Sequence, residues 1–542
     1  MLNKLSLYWH TIRYLKIKQI YYRILKKLGL HCSHGVYLLK KQRTENIFIV
    51  NTIEELDFDP VFLSRFSADS LLSDKITFLH DDEVFQWYSC WYFPEHSELW
   101  NYNLHYFEFI FVLLNAFKKE NDEIYLDKIK ECISGWIAEN PRGRGVGWNP
   151  YTIALRLANW ISVYKTLCSY LQNDSIFEKK MLDSMYQQYT HLSMHLEKDL
   201  LGNHYLEELK TLLLCALFFN DSKMLHKSIR ALKKQCREQI LPDGMHFELS
   251  PMYHKIILED LLRINVALRS AGQPDEELES YLQPMLNVAY SFENETFRIP
   301  LFNDSGNNIS KSLDALLTTA KKYFGLTPYL KNQMPDSGYY IFTYGIWKLI
   351  VDAGKPGPNY IPGHSHCDGM SFELFKNGKP IIVNCGTYAY QCKERIFFRS
   401  TSAHNTVMID RTEQSQCWGN FRLAKRASIT LLNINKHTIS MKLVDQNGGC
   451  VKRTICFDNK RLKITDISDK GKLSAFLHFD TDLVEIKNKI WRIPKVGICH
   501  IDADYIQMTQ MDYAPEYGYK SKIKTLVLNG FEKVGCCICF DE

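Results

Sequence analysis

Histidines at the start of a predicted β-hairpin are the residues of this sequence best suited to proton transfer. His364 and His366 lie in the segment Gly363-His-Ser-His-Cys-Asp368, directly before a hairpin predicted over residues 371–383. The turn of that hairpin is Asn377-Gly378, a pair that favours a tight connection between antiparallel strands. Imidazole exchanges protons near neutral pH and is also a common metal ligand. The hairpin therefore holds two imidazoles in one place, and other segments must supply the groups that face them.

A tyrosine near a predicted helix start is one such group. Ser250-Pro251 favours a start, because serine caps helix N-termini and proline fits the first turn. Tyr253 then lies in that turn, where the helix dipole favours a phenolate and assists a tyrosine that donates or accepts a proton. The alternative is an aromatic side chain packed beneath the preceding loop, and this segment alone leaves both interpretations open.

The segment Gly202-Asn-His-Tyr-Leu-Glu207 opens a second predicted helix. Asn203 is predicted as its N-cap, with Gly202 in the preceding turn. His204 and Glu207 are three residues apart, so they share a helix face and the carboxylate could orient the imidazole. Alternatively, Asn203 only caps the helix and His204 only fills its first turn.

Arg156, Asn159 and Trp160 form a polar and aromatic group on another predicted helix. A guanidinium is a natural clamp for a carboxylate or a sulfate, and an indole ring offers a stacking surface for a sugar. Ordinary helix packing is the alternative.

The composition is that of a soluble globular protein with more than one domain. The chain has 542 residues, of which 46% are hydrophobic and 23% are charged, and its net charge is +5. This charge permits an acidic substrate, and no nucleic-acid partner is predicted. Sixteen cysteines are scattered through a sequence in which no secretion signal is recognised, so reduced thiols and a cytoplasmic location are expected.

The first 45 residues form a basic, amphipathic segment. Ten Lys or Arg residues precede the first acid, Glu45, and aromatic residues such as Tyr8, Trp9 and Tyr21 are interleaved with them. A helix of this kind could lie on an anionic membrane surface, which would make the protein peripheral on the inner membrane. The equally open alternative is a helix packed on the next domain with its basic face in solvent.

The rest of the chain changes from a helical pattern to a strand pattern. Apolar residues recur at helical spacing from about Leu99 to Lys331, which predicts a helical bundle or an α/α barrel. After Gly338, short apolar runs alternate with turn pairs, the pattern of an antiparallel β-sandwich. The predicted division is a basic segment at 1–45, a helical domain at 46–335 and a β-sandwich at 336–542.

Taken in order, these segments resemble the heparinase II/III family of polysaccharide lyases. The resemblance extends from about Trp100 to Val407. It implies an incomplete α/α toroid that carries the catalytic residues, followed by an antiparallel β-sandwich. The motifs that carry it are Arg156-x-x-Asn-Trp160, Gly202-Asn-His-x-x-Glu207, Asp243-Gly…Glu-x-Ser-Pro-x-Tyr-His254, Asn303-Asp-Ser305, the His364-x-His-x-Asp368 hairpin, Gly386-Thr-Tyr388 and Arg399-Ser-x-x-Ala-His-Asn-Thr-Val407.

The resemblance also implies a reaction. Family members cleave uronic-acid-containing chains by β-elimination, which requires a neutralised C5 carboxylate, removal of the C5 proton and protonation of the leaving O4. By resemblance, Asn203 contacts the carboxylate, Tyr253 acts as acid and as base, and either His364 or His204 is the other base. The residues expected to bind substrate are Arg156, Asn159, Trp160, Glu207, Glu248, His404 and Asn405.

Some family members hold a structural zinc in the sandwich with two histidines and an aspartate. By resemblance the histidines here are His366 and His404, and no other cofactor is expected. Asn384 stands in place of the usual carboxylate. Because an amide is a weaker zinc ligand, zinc affinity is expected to be reduced.

Three functions are open at this point. The first is a lyase that acts on an acidic polysaccharide or a lipid-linked glycan, in association with bacterial surface-polysaccharide assembly. The second is a uronyl C5-epimerase, and the third is a non-catalytic glycan-binding protein of a capsule or O-antigen assembly system. A lyase product contains a conjugated double bond that absorbs ultraviolet light, whereas an epimerase only exchanges the C5 proton with solvent.

Overall fold

A computed structural model describes residues 2–29, 47–294, 296 and 298–541. Much of the predicted basic segment 1–45, namely residue 1 and residues 30–45, lies outside the described residues. A small hairpin of β1 (Lys75–Phe78) and β2 (Asp81–Val84) interrupts an otherwise helical first part. The helices of that part are α1 (Leu2–Ile12), α2 (Ile17–Lys27), α3 (Glu54–Asp57), α4 (Pro60–Leu63), α5 (Ala68–Leu72), α6 (Glu98–Tyr106), α7 (Ile110–Glu120), α8 (Glu123–Glu139), α9 (Pro150–Leu171), α10 (Ser175–Met194), α11 (Gly202–Phe218), α12 (Ser222–Gln239), α13 (Pro251–Ser270), α14 (Glu276–Ser280), α15 (Leu282–Glu293) and α16 (Leu313–Phe324).

Three helices form the inner wall of an incomplete α/α toroid. α9 packs against α6, α10 and α11, whereas α11 packs against α9, α12 and α13. α13 in turn packs against α15 and α16. Every residue of α11 except His204 is buried, which is expected for a helix that has neighbours on all sides. The helical domain predicted from apolar periodicity is confirmed.

The remainder of the chain is an antiparallel β-domain. It contains one short helix, α17 (Arg395–Phe398). The hairpin predicted around Asn377-Gly378 is confirmed as β6 and β7. The strands are β3 (Gln333–Met334), β4 (Tyr339–Tyr344), β5 (Trp347–Asp352), β6 (Phe372–Lys376), β7 (Lys379–Ile382), β8 (Val407–Ile409), β9 (Cys417–Trp418), β10 (Arg422–Leu423), β11 (Ser428–Ile434), β12 (Thr438–Val444), β13 (Cys450–Phe457), β14 (Arg461–Phe479), β15 (Val484–Lys487), β16 (Ile490–Ile493), β17 (Gly497–Asp502), β18 (Tyr505–Glu516) and β19 (Tyr519–Phe540).

Two long strands join the two layers of this domain. The first half of β14 pairs with β13, whereas its second half pairs with β8 and β7. β19 pairs with β18 along its first half and with β17 along its second. A register shift between Ile467 and Lys472 marks the point where β14 passes from one layer to the other. Residues of both layers enter one hydrophobic core, so the predicted sandwich is confirmed.

The helical and β parts meet over a short connection. The last toroid helix ends at Phe324, and the first strand of the sheet begins at Gln333. The predicted domain division at 335/336 falls in the turn between β3 and β4. At the other end of the chain, α1 and α2 follow each other across a short connection and contact both domains, through the Gln19–Leu200 and Thr11–Trp418 hydrogen bonds. No helix among the described residues is long and apolar enough to cross a membrane.

Candidate active site

A cavity of about 630 Å³ lies where the toroid meets the β-domain. The inner helices α9, α11 and α13 form one wall, the α1–α2 segment forms a second, and loops of the β-domain form a third. Groups from distant parts of the chain thus share one space, as a reaction on a single sugar ring requires. The residues of interest that line it are Asn159, Asn203, His204, Glu207, Tyr253, His364, Tyr390 and Tyr517.

Tyr253 and His364 face each other across the domain junction. The hydroxyl oxygen of Ser250 accepts a hydrogen bond from the backbone N–H of Tyr253 at 3.2 Å, and Pro251 occupies the first turn of α13, as predicted. This helix start aims the phenol ring at the loop before β6. There the centroid of the His364 ring lies 4.0 Å from that of Tyr253. The predicted proximity of the two side chains is confirmed.

Asn203 joins this pair from α11. The helix begins at Gly202, so Asn203 lies inside the first turn and the prediction that it is the N-cap is wrong. Its side-chain amide donates to Glu248 Oε2 at 2.7 Å and lies 3.4 Å from His364 Nε2. Glu248 Oε1 also accepts from the backbone N–H of Asn203 at 3.1 Å. Glu248 is buried behind the cavity wall, so it positions the amide and does not contact substrate as predicted.

The backbone before α11 is strained. Leu201 has φ +69° and ψ −152°, a combination that is essentially restricted to glycine. Gly202 follows with φ +64°, and a Cβ at this position would lie 2.5 Å from Glu248 Oε1. Only glycine therefore allows the close approach of the helix start to Glu248. Strain of this kind is typical of functional sites, and here it presents Asn203 and His204 to the cavity.

Asp304 organises the histidines of the β-domain from a fully buried position. Its carboxylate accepts hydrogen bonds from His364 Nδ1 at 2.9 Å, from His366 Nε2 at 2.8 Å and from Arg395 Nη2 at 2.6 Å. Burial alone would raise the pKa of Asp304, but Arg395 and the imidazoles hold that pKa well below its usual range. Because an ionised carboxylate only accepts, His364 carries its proton on Nδ1 and turns Nε2 toward Asn203.

Tyr253 belongs to a chain of three phenol groups. Its hydroxyl lies 2.7 Å from that of Tyr390, which lies 2.8 Å from that of Tyr517. Burial raises the pKa of Tyr253 well above its ordinary value, and the charge of Tyr517 would raise it further. Burial therefore opposes the helix dipole at this position and favours the protonated phenol. Tyr253 keeps its proton near neutral pH, as a general acid must.

His204 has a different carboxylate partner from the one predicted. Its Nδ1 lies 2.7 Å from Glu197 Oε2, whereas Glu207 forms an ion pair with Lys210. Burial lowers the pKa of His204, but the charge and hydrogen bond of Glu197 outweigh burial, and the pKa is raised above its ordinary value. The imidazole stacks on Tyr151 with 4.3 Å between ring centroids. His204 is thus suited to carry positive charge in the cavity wall.

Two residues predicted to bind substrate are structural instead. Arg156 is fully buried outside the cavity and donates to the backbone carbonyl oxygens of His105 and Gly147 at 3.0 and 2.7 Å. Trp160 is also fully buried, within the aromatic core of the toroid. The prediction is wrong because the motif does not reveal which side of α9 faces the core. Asn159, which precedes Trp160, does line the cavity.

His404 and Asn405 are buried outside the cavity as well, so their predicted contact with substrate is wrong. The Asn405 side chain donates to the backbone carbonyl oxygen of Phe372 at 2.9 Å and accepts from the backbone N–H of His478 at 2.8 Å. These bonds connect the start of β6 to the end of β14. Both residues therefore stabilise the loops that carry His364.

The residues predicted to bind zinc do not fit that metal. His366 and His404 approach each other as predicted, with 3.2 Å between His366 Nδ1 and His404 Nε2. However, His366 Nε2 is bound by Asp304, whose charge Arg395 already balances. The Asn384 side-chain oxygen accepts from a backbone N–H at 3.1 Å. Within the described ranges, no three His, Cys, Asp or Glu side chains are grouped so that they could hold a metal ion.

Sequence reasoning misses the residues that position this site. Asp304 lies within the Asn303-Asp-Ser305 motif, and an acid flanked by small polar residues is a detectable signal. Tyr390 follows β7 in a loop without a regular pattern, and Arg395 begins the four-residue helix α17, so nothing local indicates their role. Glu197 lies just before the strained turn, and the prediction assigns its function to Glu207 because that residue shares a helix face with His204.

The fold and the site define a class of two-domain proteins in which an α/α toroid and a β-sandwich enclose a cavity with tyrosine, histidine and asparagine side chains. The family profile described as heparinase II/III N-terminus matches residues 62–331. The profile described as heparinase II/III-like, C-terminal, matches residues 327–488. The chain belongs to the heparinase II/III family.

Individual relatives agree with this assignment. The heparin-sulfate lyase of Pedobacter heparinus is 26% identical over 326 residues, which are 53% of this chain and 49% of that protein. The heparin-sulfate lyase of Bacteroides thetaiotaomicron is 22% identical over 491 residues, 77% of this chain and 68% of that protein. The chain thus spans about half the length of the first of these relatives. A crystal structure of heparinase III shares the fold, with a TM-score of 0.70 at 16% identity over 97% of this chain and 92% of that one.

Proposed function

We propose that this protein is a polysaccharide lyase that cleaves a uronic-acid-containing glycan by β-elimination. The observation that carries the proposal is the convergence of three side chains on one cavity. The rings of Tyr253 and His364 are 4.0 Å apart, and the Asn203 amide lies 3.4 Å from His364 Nε2. β-Elimination needs an acid, a base and a carboxylate-binding group around one sugar ring. The curated relatives named heparin-sulfate lyase support the same reaction class.

His364 is the group suited to remove the C5 proton. Its Nδ1–H donates to Asp304, which leaves the lone pair of the neutral ring on Nε2, beside the Asn203 amide. When Nε2 takes the proton, the buried carboxylate of Asp304 stabilises the imidazolium that forms. Asp304 is thus a positioning residue that fixes the tautomer of the base.

Asn203 and His204 are suited to neutralise the substrate carboxylate. The C5 proton becomes acidic enough to remove only when charge building on that carboxylate is stabilised. An amide N–H from Asn203 and a positive imidazole from His204 project from adjacent positions at the start of α11. Glu197 keeps His204 charged, since it raises the pKa of that ring.

Tyr253 is suited to protonate the leaving O4. Its raised pKa keeps the hydroxyl protonated, and Tyr390 and Tyr517 continue the hydrogen-bond chain behind it. Because Tyr253 and His364 stand side by side, removal of one proton and donation of another take place on the same side of the substrate. An epimerase needs its two groups on opposite faces of the ring, so this arrangement favours a lyase.

The charges of the cavity wall indicate a glycan with isolated carboxylates and little sulfate. Six acidic and six basic side chains line the cavity, so the positive His204 leaves a formal excess of only one cation. Dense sulfation would require a larger excess of cations. We propose a nascent or lipid-linked glycan of bacterial surface-polysaccharide assembly as a substrate of this kind. The acidic lining residues are Glu98, Glu108, Glu197, Glu207, Glu259 and Asp260, and the basic ones are Arg23, Arg65, Lys210, Arg263, Lys311 and Arg422.

The test is ultraviolet absorbance during incubation with uronate polymers, in matched sulfated and unsulfated forms. We expect a new absorbance with an unsulfated polymer, and a loss of about 10²–10⁴ in rate for Tyr253→Phe. Tyr189→Phe is the matched control, because it removes a hydroxyl that bonds Asp221 in the toroid, outside the cavity.

Two other outcomes would replace the lyase proposal. Exchange of the C5 proton with deuterated solvent, without new absorbance, would indicate an epimerase. Binding of a polymer with neither absorbance nor exchange would indicate a non-catalytic glycan-binding protein.

A further inference from the structure

The α1–α2 segment has an inner face that belongs to the cavity. Thr11, Leu15, Gln19 and Arg23 line it. The Gln19 side-chain amide donates to the backbone carbonyl oxygen of Leu200 at 3.0 Å, in the loop that leads to α11. Lys16, Thr11 and Lys26 anchor the same face, through Glu238, Trp418 and Asp199 respectively. The segment is therefore held in place against both domains.

α1 and α2 each have an apolar face that is exposed on the side away from the cavity. In each helix these residues fall within a sector of about 100°, given 100° of rotation per residue. Soluble monomers rarely expose apolar patches of more than a few hundred Å², and larger ones mark interaction sites. Basic side chains do point to solvent, as in one of the two predicted alternatives, but the centre of the exposed face is apolar. Its members are Leu5 (62% exposed), Tyr8 (48%), Trp9 (66%), Ile12 (47%), Ile17 (87%), Ile20 (36%), Tyr21 (56%), Ile24 (54%) and Leu28 (63%).

Cations surround this apolar stripe. Residues 2–29 contain no Asp or Glu, so no acid of the segment offsets them. On α2, Lys18 and Lys27 lie on opposite sides of the stripe, at about 100° and 80° from its centre by the same helical geometry. The exposed basic residues here are Lys4, Arg13, Lys18, Arg23, Lys26 and Lys27. Arg23 and Lys26 belong to the inner face, which leaves Lys4, Arg13, Lys18 and Lys27 to flank the stripe.

We propose that the exposed apolar faces of α1 and α2 bind an anionic lipid bilayer, with their side chains inserted into the interface. Aromatic and aliphatic side chains in the centre of a helix face, with cations at its margins, match the acyl boundary and the charged headgroups of such a surface. Trp9, Tyr8 and Tyr21 have the amphipathic rings that favour this interface. A second copy of the chain fits less well, because pairing two such segments would bring their cations together.

The anionic bilayer would be a partner of the proposed lyase. Since the inner face of the same segment lines the cavity, bilayer binding would hold the cavity beside the lipid surface. A uronate glycan attached to a lipid carrier would then reach Tyr253 and His364 without leaving the membrane. The bilayer-binding surface is argued from the exposure and charge of its side chains. It rests on the lyase proposal only for its purpose, which is access to a lipid-linked glycan.

The test is sedimentation of the full chain with vesicles of phosphatidylcholine alone and of phosphatidylcholine with phosphatidylglycerol. We expect binding to the anionic vesicles, weakening as salt is raised. The variant Trp9→Ser/Ile17→Ser/Ile24→Ser should lose at least about tenfold in partitioning. Lys4→Ala/Lys27→Ala should lose about fivefold for each charge. The matched control is Val84→Ser/Ile176→Ser/Ile486→Ser, which alters three exposed aliphatic residues elsewhere (71%, 84% and 53% exposed) and should bind as the parent does.

Three results would overturn the inference. The first is no binding to anionic vesicles, and the second is equal binding to both vesicle types at all salt concentrations. The third is a dimer, detected by light scattering, that the Trp9/Ile17/Ile24 variant abolishes and the other variants do not. Turnover of a soluble uronate polymer by the same variant separates this inference from the lyase proposal. If the parent binds vesicles but cleaves no polymer, only the lyase proposal fails.

Discussion

His364 and His204 are both imidazoles backed by a carboxylate, yet their surroundings differ. Asp304 binds His364 but also binds His366 and Arg395, so its charge is shared among several donors in a fully buried site. Glu197 forms a close ion pair with His204 at the edge of the cavity and raises the pKa of that ring. Asp304 is balanced by the buried Arg395 and orients its histidine, whereas Glu197 interacts mainly with His204, and more weakly with the charge of Lys26, and favours the charged ring. We propose that the Asp304–His364 pair supplies a base and the Glu197–His204 pair supplies a cation.

The largest effect is expected when Asp304 is changed to Asn. The change leaves Arg395 buried without its counter-charge, which should cost about 3–5 kcal/mol in the free energy of unfolding. It also leaves one acceptor oxygen for two imidazoles and replaces the other oxygen with an N–H donor, so the tautomer of His364 is no longer fixed and the rate per folded molecule should fall by about 10²–10⁴. Denaturant unfolding and the ultraviolet assay measure the two effects.

Asp466→Asn is the matched control for this prediction. Asp466 binds a buried arginine, Arg453, at 2.7 and 2.8 Å in the β-domain, away from the cavity. We expect a similar loss of stability with a nearly normal rate per folded molecule. Equal rate losses in both variants would mean that Asp304 acts through the fold alone.

A smaller effect, on the pH profile, is expected for Glu197→Gln. Because the pKa of His204 is raised, its positive charge should persist above the ordinary histidine range and be lost as the pH rises through the raised pKa. Removal of the Glu197 charge leaves burial, which lowers that pKa, as the dominant influence. The alkaline limb of kcat/KM should therefore move to lower pH, with a loss of about tenfold at pH 8.

Glu208→Gln controls for the loss of a neighbouring acid. Burial and the Glu197 charge raise the pKa of Glu208 well above its ordinary value, which favours the protonated carboxyl, and glutamine has the same length and can also donate a hydrogen bond. Its pH profile should match that of the parent. An unchanged alkaline limb in Glu197→Gln would show that the charge of His204 is not used.

The contrast between the two histidines also shows what the sequence can and cannot predict. Local signals are reliable: Ser250-Pro251 starts α13 and Asn377-Gly378 turns the β6–β7 hairpin as predicted. The ordered motifs bring His364, Tyr253 and Asn203 to one cavity. These predictions succeed because they depend on neighbours along the chain or on a family resemblance.

Predictions of partners across the chain are less successful. Glu197 replaces Glu207 as the partner of His204, since a strained turn at Leu201 redirects the preceding loop toward the ring. Arg156 enters the core because its side of α9 packs against α8 and α10, where it contacts Trp136 and Gln188. Spacing along a helix states which residues share a face, but the packing of the whole domain decides whether that face is core or cavity.

Arg156→Lys tests the distinction between core and cavity. Lysine cannot reproduce the planar set of hydrogen bonds to His105, Gly147 and Gln188, so we expect a loss of about 2 kcal/mol in the free energy of unfolding. The KM of the folded fraction should remain within about twofold of the parent value, because the side chain lies outside the cavity. A large rise in KM at unchanged stability would restore Arg156 as a substrate clamp.

The smallest effect is expected from removal of metal. A zinc ion at 100 times its Kd would add about 2.7 kcal/mol of stability, so its loss should lower Tm by a few degrees. His366 and His404 bond to each other and to Asp304, and Asn384 offers an amide oxygen that is already engaged. Treatment with a chelator, followed by dialysis, should therefore leave Tm and the rate unchanged. A fall in Tm that zinc alone reverses, together with stoichiometric zinc in metal analysis, would show that these histidines rearrange to bind the ion. Asp304 would then interact with both Arg395 and the zinc ion, so it could no longer be regarded as a residue that mainly positions His364.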